Sequence, residues 1–320
     1  MTRSRVRTSL AALAAATVLV SAGCGVKEAD GGGQAVSGPE ISTGPGPVEP
    51  GTLDGTGGVV YLQQAADATS EIESMRTSIV MEMTGMPLFG DMAITMDGAV
   101  DNAAQKAHIT MDMSQMFEAM GSFGSEDEVP EDAGLIEMIV DGDTTYMKTS
   151  MFEGVPGVDT AKPWMKVSTD AMSDSGTFGK GANDPNEFMD FLRNNGSEVT
   201  EVGIEDVRGV ETTHMRTVLD PEKMIANALP EEKDELESSF DDLGAQGILE
   251  IPVDVWVDGD GIVRKMVMEM DLSAVEEDGV SMGDATMTMT LEMYDFGEPV
   301  DISIPDPSEV QEMDASLLGD

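Results

Sequence analysis

The stretch TMTMTLEMY, residues 286–294, alternates without a break. Met287, Met289, Leu291 and Met293 share one parity, and Thr286, Thr288, Thr290 and Glu292 the other. Successive side chains of a strand point to opposite faces, so this segment is a strand with one apolar and one wet face. Such strands belong to antiparallel sheets covered on one side only. The same period recurs upstream. Ile79, Met81 and Met83 alternate with Ser78, Val80, Glu82 and Thr84, and Met92, Ile94 and Met96 with Ala93, Thr95 and Asp97. Ala107, Ile109, Met111 and Met113 alternate with His108, Thr110 and Asp112, while Met266, Met268 and Met270 share a parity further on.

Turn chemistry joins these strands into hairpins. IEMIVDGDTTYMK, residues 136–148, turns at Asp141-Gly142, and residues 251–272 turn near Asp258 to Gly261. Residues 164–168 and 199–219 add strand-like segments, the latter turning around Asp206 to Gly209. Helices fill the gaps. Leu62, Ala65, Ala68, Ile72 and Met75 have helical spacing over residues 61–75. Asp184-Pro185 and Asp220-Pro221 place a capping carboxylate before a first-turn proline, and residues 231–243 extend a further helical stretch. The expectation is an α+β domain over residues 59–320. It comprises a single antiparallel sheet of about nine to eleven strands and three or four helices, arranged as a meander.

Ahead of the domain the chain changes character. Arg3, Arg5 and Arg7 precede the apolar run LAALAAATVLV, residues 10–20, and small residues lead to Cys24, the one cysteine of the chain. The run has the length of a signal-peptide core and falls short of the roughly 20 residues that span a bilayer. Residues 1–23 are therefore expected to be a signal peptide. The segment resembles a bacterial lipobox, in which a cysteine receives a diacylglycerol and becomes the new N-terminus. Ser21 departs from the Leu usual three positions before that cysteine. Cys24 is thus expected to be the lipidation site and to tie the chain to the outer face of the cell membrane. Residues 25–58 are rich in Gly, Pro and acids and read as a flexible tether.

Charge and motif content exclude several functions. With 62 acidic residues against 17 basic, the net charge is -45, which repels nucleic acid and anionic headgroups alike. The spread of acids along the chain reads as a solvated surface. No Gly-x-Ser-x-Gly, Ser-x-x-Lys or glycine-rich phosphate loop between strand and helix occurs. Asp258, Asp260 and Gly261 start like a calcium loop, but the remaining ligand spacing does not follow. No enzyme and no cofactor is expected.

The 27 methionines leave alternatives open. They fill apolar strand positions where Val, Ile or Leu have higher strand propensity. Met packs irregular gaps, and it also suits surfaces that remould around ligands of varied shape. One reading is core packing, and the other is a ligand lining. The lining set would be Ile79, Met81, Met83, Met92, Ile94, Met96, Ile109, Met111, Met113, Met266, Met268, Met270, Met287, Met289 and Leu291. Copper is a third reading, since thioethers suit Cu(I), but Met-x-Met spacing is merely the period of a strand. His108 is expected on a polar strand face and His214 at a surface or edge position.

Several longer motifs resemble the LppX/LprAFG lipoproteins of actinobacteria. They are VDVWVDGDGIVRKMVMEM, LEMYDFGEPVDISIPDPSEV, IVDGDTTYMK followed by Pro163-Trp164-Met165-Lys166, and GVETTHMRTVLD at 209–220. The resemblance spans nearly all of residues 59–310. It implies a half-barrel similar to LolA-type carriers, one curved sheet whose concave face is closed by helices. It further implies a lipid or lipoglycan ligand in that concavity and lipid transport in the envelope, with a membrane transporter as a candidate partner. The alternative it leaves is an envelope interaction or regulatory protein without lipid cargo. Residues 111–134, with Met116, Phe117, Met120 and Phe123 among glycines and acids, read as either a flap at the mouth or an ordinary surface loop.

Overall fold

A computed structural model describes residues 56–87, 90–116, 134–152, 158–159, 161–169, 198–219, 251–277 and 280–312, with single residues at 189, 192, 225 and 233. All of them fall within one compact unit, Pro39–Asp320. Helix α1 (Thr56–Ser70) opens the described chain. The strands follow: β1 (Ser74–Met86), β2 (Gly90–Asp101), β3 (Lys106–Asp112), β4 (Leu135–Asp141), β5 (Thr144–Lys148), β6 (Trp164–Ser168) and β7 (Thr200–Val207). After them come β8 (Val210–Leu219), β9 (Ile251–Asp258), β10 (Val263–Asp271), β11 (Glu276–Glu277), β12 (Val280–Ser281), β13 (Thr286–Tyr294) and β14 (Val310–Glu312).

Twelve strands form one open, curved sheet in the order β14-β6-β5-β4-β3-β2-β1-β13-β10-β9-β8-β7. β11 and β12 make a separate two-stranded ribbon. Every expected strand is present, but the expected nine to eleven is an undercount. β11, β12 and β14 are too short to show an alternation of their own. The sheet is also not wholly antiparallel, because β14 runs parallel to β6, with Val310 opposite Trp164. The chain reaches that edge across the outer face of the sheet. On that face Ile302 and Ile304 pack on a small cluster of Ile139, Trp164 and Val310.

Hairpin register follows the turn residues. Between β7 and β8, Arg208 and Gly209 both take positive φ (52° and 84°), the pairing a tight two-residue turn requires. Asp206 Oδ1 accepts the Gly209 N–H at 2.7 Å and holds that turn closed. Between β9 and β10, Asp258 Oδ1 accepts the N–H groups of Asp260 and Ile262, and its Oδ2 accepts Arg264 Nε at 2.6 Å. The calcium-like beginning of that loop is thus a self-capped turn.

α1 lies on the inner face of the sheet. Its buried stripe is Tyr61, Leu62, Ala65, Ala66, Ala68 and Thr69, and the two fully buried alanines, Ala65 and Ala66, let the helix approach closely. Thr69 Oγ1 accepts the Val263 N–H at 3.0 Å and fixes the helix to the start of β10. The helix begins at Thr56, inside the stretch read as tether, and ends at Ser70 instead of Met75. Its last hydroxyls, Thr69 and Ser70, bond back to the Ala65 and Ala66 carbonyls. Ile72 and Met75 keep the expected burial but as part of the crossing into β1, where Asn102 captures the Ile72 carbonyl. Met189, Leu192, Ile225 and Lys233 are helical, as expected, and the remainder of those three helical stretches lies outside the described residues.

One close approach in the sheet admits only glycine. A Cβ on Gly98 would sit 2.5 Å from Oγ1 of Thr77, its partner on β1. Thr77 is buried and its short branched side chain has little room to yield. Gly98→Ala is expected to lose about 1–3 kcal/mol of stability, read from the urea midpoint.

Candidate functional site

Cross-strand register sorts the inner face into rows. The first row is Met92, Met83, Met287 and Met270 on β2, β1, β13 and β10. The second is Ile94, Met81, Met289, Met268 and Val253. A third runs Ile136, Met111, Met96, Ile79, Leu291, Met266, Val255 and Met215 across eight strands. Strand alternation sends all of these side chains to one face, so the Met-x-Met spacing is the sheet's period, as the sequence implies.

All fifteen residues proposed as a lining fall on this face. Ile79, Ile94, Met96, Ile109, Met111, Met266, Met268 and Leu291 lie in one buried core cluster, with Met81, Met83, Met113, Met270 and Met289 packed against it. Met92 is buried and Met287 half-buried in the first row. Burial is graded. The third row is sealed, with Leu291, Val255 and Met215 at 0% exposure. In the first two rows Met81, Met83, Met270, Met287 and Met289 remain partly exposed.

The strand directions show which end that is. β1 and β10 finish beside the first row, and β2 and β13 begin there. The connections 87–90 and 272–285 therefore leave from this less covered end. β3 runs the same way, so the connection 113–134 starts there too, and Met113 and Met116 pack on the core as it departs. Gln115 Oε1 accepts the Ala93 N–H and ties that departure to β2. The rest of the candidate flap lies outside the described residues.

The sealed end carries a buried phenol. Tyr61 on α1 is held well above its ordinary range, to about 12, first by burial and then by the carboxylates of Asp258 and Glu201. The folded phenol thus keeps its proton where the unfolded one, at 10.0, loses it. The stability this contributes is present below pH 10 and is lost as the pH rises through about 12. Stability is expected to decline across that window. Subtracting the ultraviolet phenolate titration of Tyr61→Phe from that of the wild type isolates this group.

The outer face holds a site that alternation did not reveal. His214 is buried, not at a surface or edge position. Its Nδ1 lies 3.0 Å from Glu205 Oε1 and its Nε2 2.6 Å from Asp254 Oδ1, and its ring stacks on Trp256 at 4.2 Å. Trp256 Nε1 donates to Glu205 Oε2, and Arg216 grips Asp254 through two bonds. The indole and imidazole bonds hold the Glu205 carboxyl below its ordinary range. The network joins β7, β8 and β9 and leaves no ring nitrogen for a substrate. The register of β8 on β9 sets His214 opposite Trp256 and Arg216 opposite Asp254, a pairing across the 220–250 connection that no turn motif announces. His108 does sit on the polar face, 3.0 Å from Glu137. Among the described residues no group of three or more His, Cys, Asp or Glu is placed to hold a metal ion, and no helix is long and apolar enough to cross a membrane.

One open, curved, mostly single-direction-alternating sheet with a helix against its inner face is a half-barrel. Among solved structures, the chain is similar to Mycobacterium tuberculosis lipoprotein LppX, at 17% identity and a TM-score of 0.42, over 77% of this chain and 97% of LppX. It is similar to LprF from Mycobacterium bovis at 17% identity and a TM-score of 0.40, over 78% and 96% of the two chains. A LolA superfamily protein from Nitrosomonas europaea matches at 8% identity and a TM-score of 0.25, over 74% and 91%. No protein-family model matches the chain, and no curated protein does. The half-barrel assignment rests on the strand order and register, not on these likenesses.

Proposed function

We propose that this chain is an exported lipoprotein, attached through Cys24 to the outer face of the cell membrane. It binds the acyl chains of a lipid or lipoglycan against the methionine face of its half-barrel. The observation that carries the reading is the grading of that face. In the two rows nearest one end Met81, Met83, Met270, Met287 and Met289 stay partly uncovered beside the buried Met92, Ile94, Met268 and Val253, and such flexible, polarisable side chains suit contact with ligands of varied shape. Binding would bury acyl methylenes at about 0.8 kcal/mol each, with no bond made or broken. Most of that gain is cancelled against the membrane the lipid leaves, so a carrier needs a partner, such as a transporter, to set direction. A tether ahead of α1 would let the domain that the helix opens work above the bilayer surface.

Titration of a pyrene-labelled diacylglycerol tests the reading. Saturable fluorescence at about one probe per chain, displaced by unlabelled lipid, is the expected result. An unchanged signal at all protein concentrations contradicts it.

A further inference from the structure

The inner methionines differ in how far they are exposed. Met75, Met266 and Met293 are 1%, 2% and 1% exposed, and Met147, Met165 and Met215 no more than 1%. On the same strands, Met81, Met83, Met270, Met287 and Met289 are partly exposed. Register makes these five one patch, because Met83 pairs with Met287, Met81 with Met289, and Met270 with Met287. Apolar packing alone does not call for a thioether here, since Leu, Ile and Val bury as well and suit strands better. Besides flexibility, methionine adds an oxidisable sulfur.

We propose that Met81, Met83, Met270, Met287 and Met289 form a sulfoxidation site, with a hydroperoxide as the co-reactant. A sulfur lone pair attacks the outer peroxide oxygen, forming the S–O bond as the O–O bond breaks. The leaving oxygen takes up the proton and departs as water, or as an alcohol from an organic peroxide. Each sulfur loses two electrons and the peroxide gains two, so no further reductant, metal or base is required. The sealed methionines are protected because peroxide has no path to their sulfurs.

The modification turns an apolar, flexible side chain into a polar and chiral one. Five such changes on two adjoining rows place unpartnered sulfoxide oxygens where acyl methylenes would lie, and a polar group buried without a partner opposes that contact. The methionine face thereby becomes an oxidant-responsive surface whose ligand is released on oxidation. The release rests on the lipid-binding reading above. The order of oxidation does not.

The test treats the full chain with limiting hydrogen peroxide, maps each methionine by peptide mass spectrometry and titrates pyrene-labelled diacylglycerol before and after. The expected result is that the five patch residues gain oxygen ahead of Met75, Met147, Met215, Met266 and Met293. Far-ultraviolet dichroism stays unchanged and probe affinity falls about tenfold or more. In a variant carrying Leu at all five positions, whatever probe affinity it retains is expected to be the same before and after peroxide. Should that variant fail to fold, the wild-type map still decides the order. Oxidation spread evenly over sealed and patch residues overturns the site, and five sulfoxides with undiminished binding overturn the release. A chain that binds no probe before oxidation sinks the lipid reading and the release together, while the map still reads the site.

Discussion

Leu291→Glu is expected to prevent folding, while Met289→Glu, on the same face of the same strand, leaves the fold standing and removes the ligand. Leu291 is wholly buried, with Ile79 and Met266 as its cross-strand partners. A carboxylate there has no cation within the row, and the penalty for burying it unpaired approaches the whole stability of a domain, about 5–15 kcal/mol. Met289 sits one row closer to the less covered end and is only half-buried, so a glutamate can reach water by changing rotamer. The charge then lies where an acyl chain would run. Dichroism during thermal unfolding and probe titration on the two variants separate the outcomes. Unfolding of both would make the face an ordinary core, and intact binding in Met289→Glu would move the ligand elsewhere.

Asp258→Ala is expected to cost about 3–5 kcal/mol, the usual loss when one partner of a buried pair is removed. Asp258 is 3% exposed and supports three donors: the N–H groups of Asp260 and Ile262, and Arg264 Nε. Without it the turn between β9 and β10 loses its cap and the Arg264 charge loses this counterion, while its stacking over Phe296 remains. The damage also reaches α1, because Thr69 docks on Val263 in this same turn. Asp258→Asn retains acceptors but no charge, so it should fall between wild type and Asp258→Ala in urea unfolding. If Asp258→Ala is as stable as wild type, the turn does not organise this end of the sheet.

The strands were legible because half of each was apolar and half polar over many residues. Met287 to Met293 could hardly be read otherwise, and the hairpin turns carried their own glycines and aspartates. What escaped was set by distant partners. β14 is three residues long and exists as a strand because β6 offers it an edge. The first turn of α1 looks like tether, since Thr56, Gly57 and Gly58 have little helical preference, and docking on the sheet overrides that. His214 falls on the face that alternation marks as wet. Its burial comes from Trp256 and Asp254 on the next strand and Glu205 on the previous one, which a single strand's pattern does not contain. The candidate lining was legible as a face. The gradient along it was not, because coverage depends on what packs over each row, which a strand's own pattern does not contain.

Native mass spectrometry of the protein purified from its native host, with an organic extract analysed alongside, tests the central claim most directly. The account predicts discrete added masses that are released as lipid and disappear in Met289→Glu. A clean unliganded mass from folded protein, with no uptake of offered lipids, would contradict it and leave the methionine face as core.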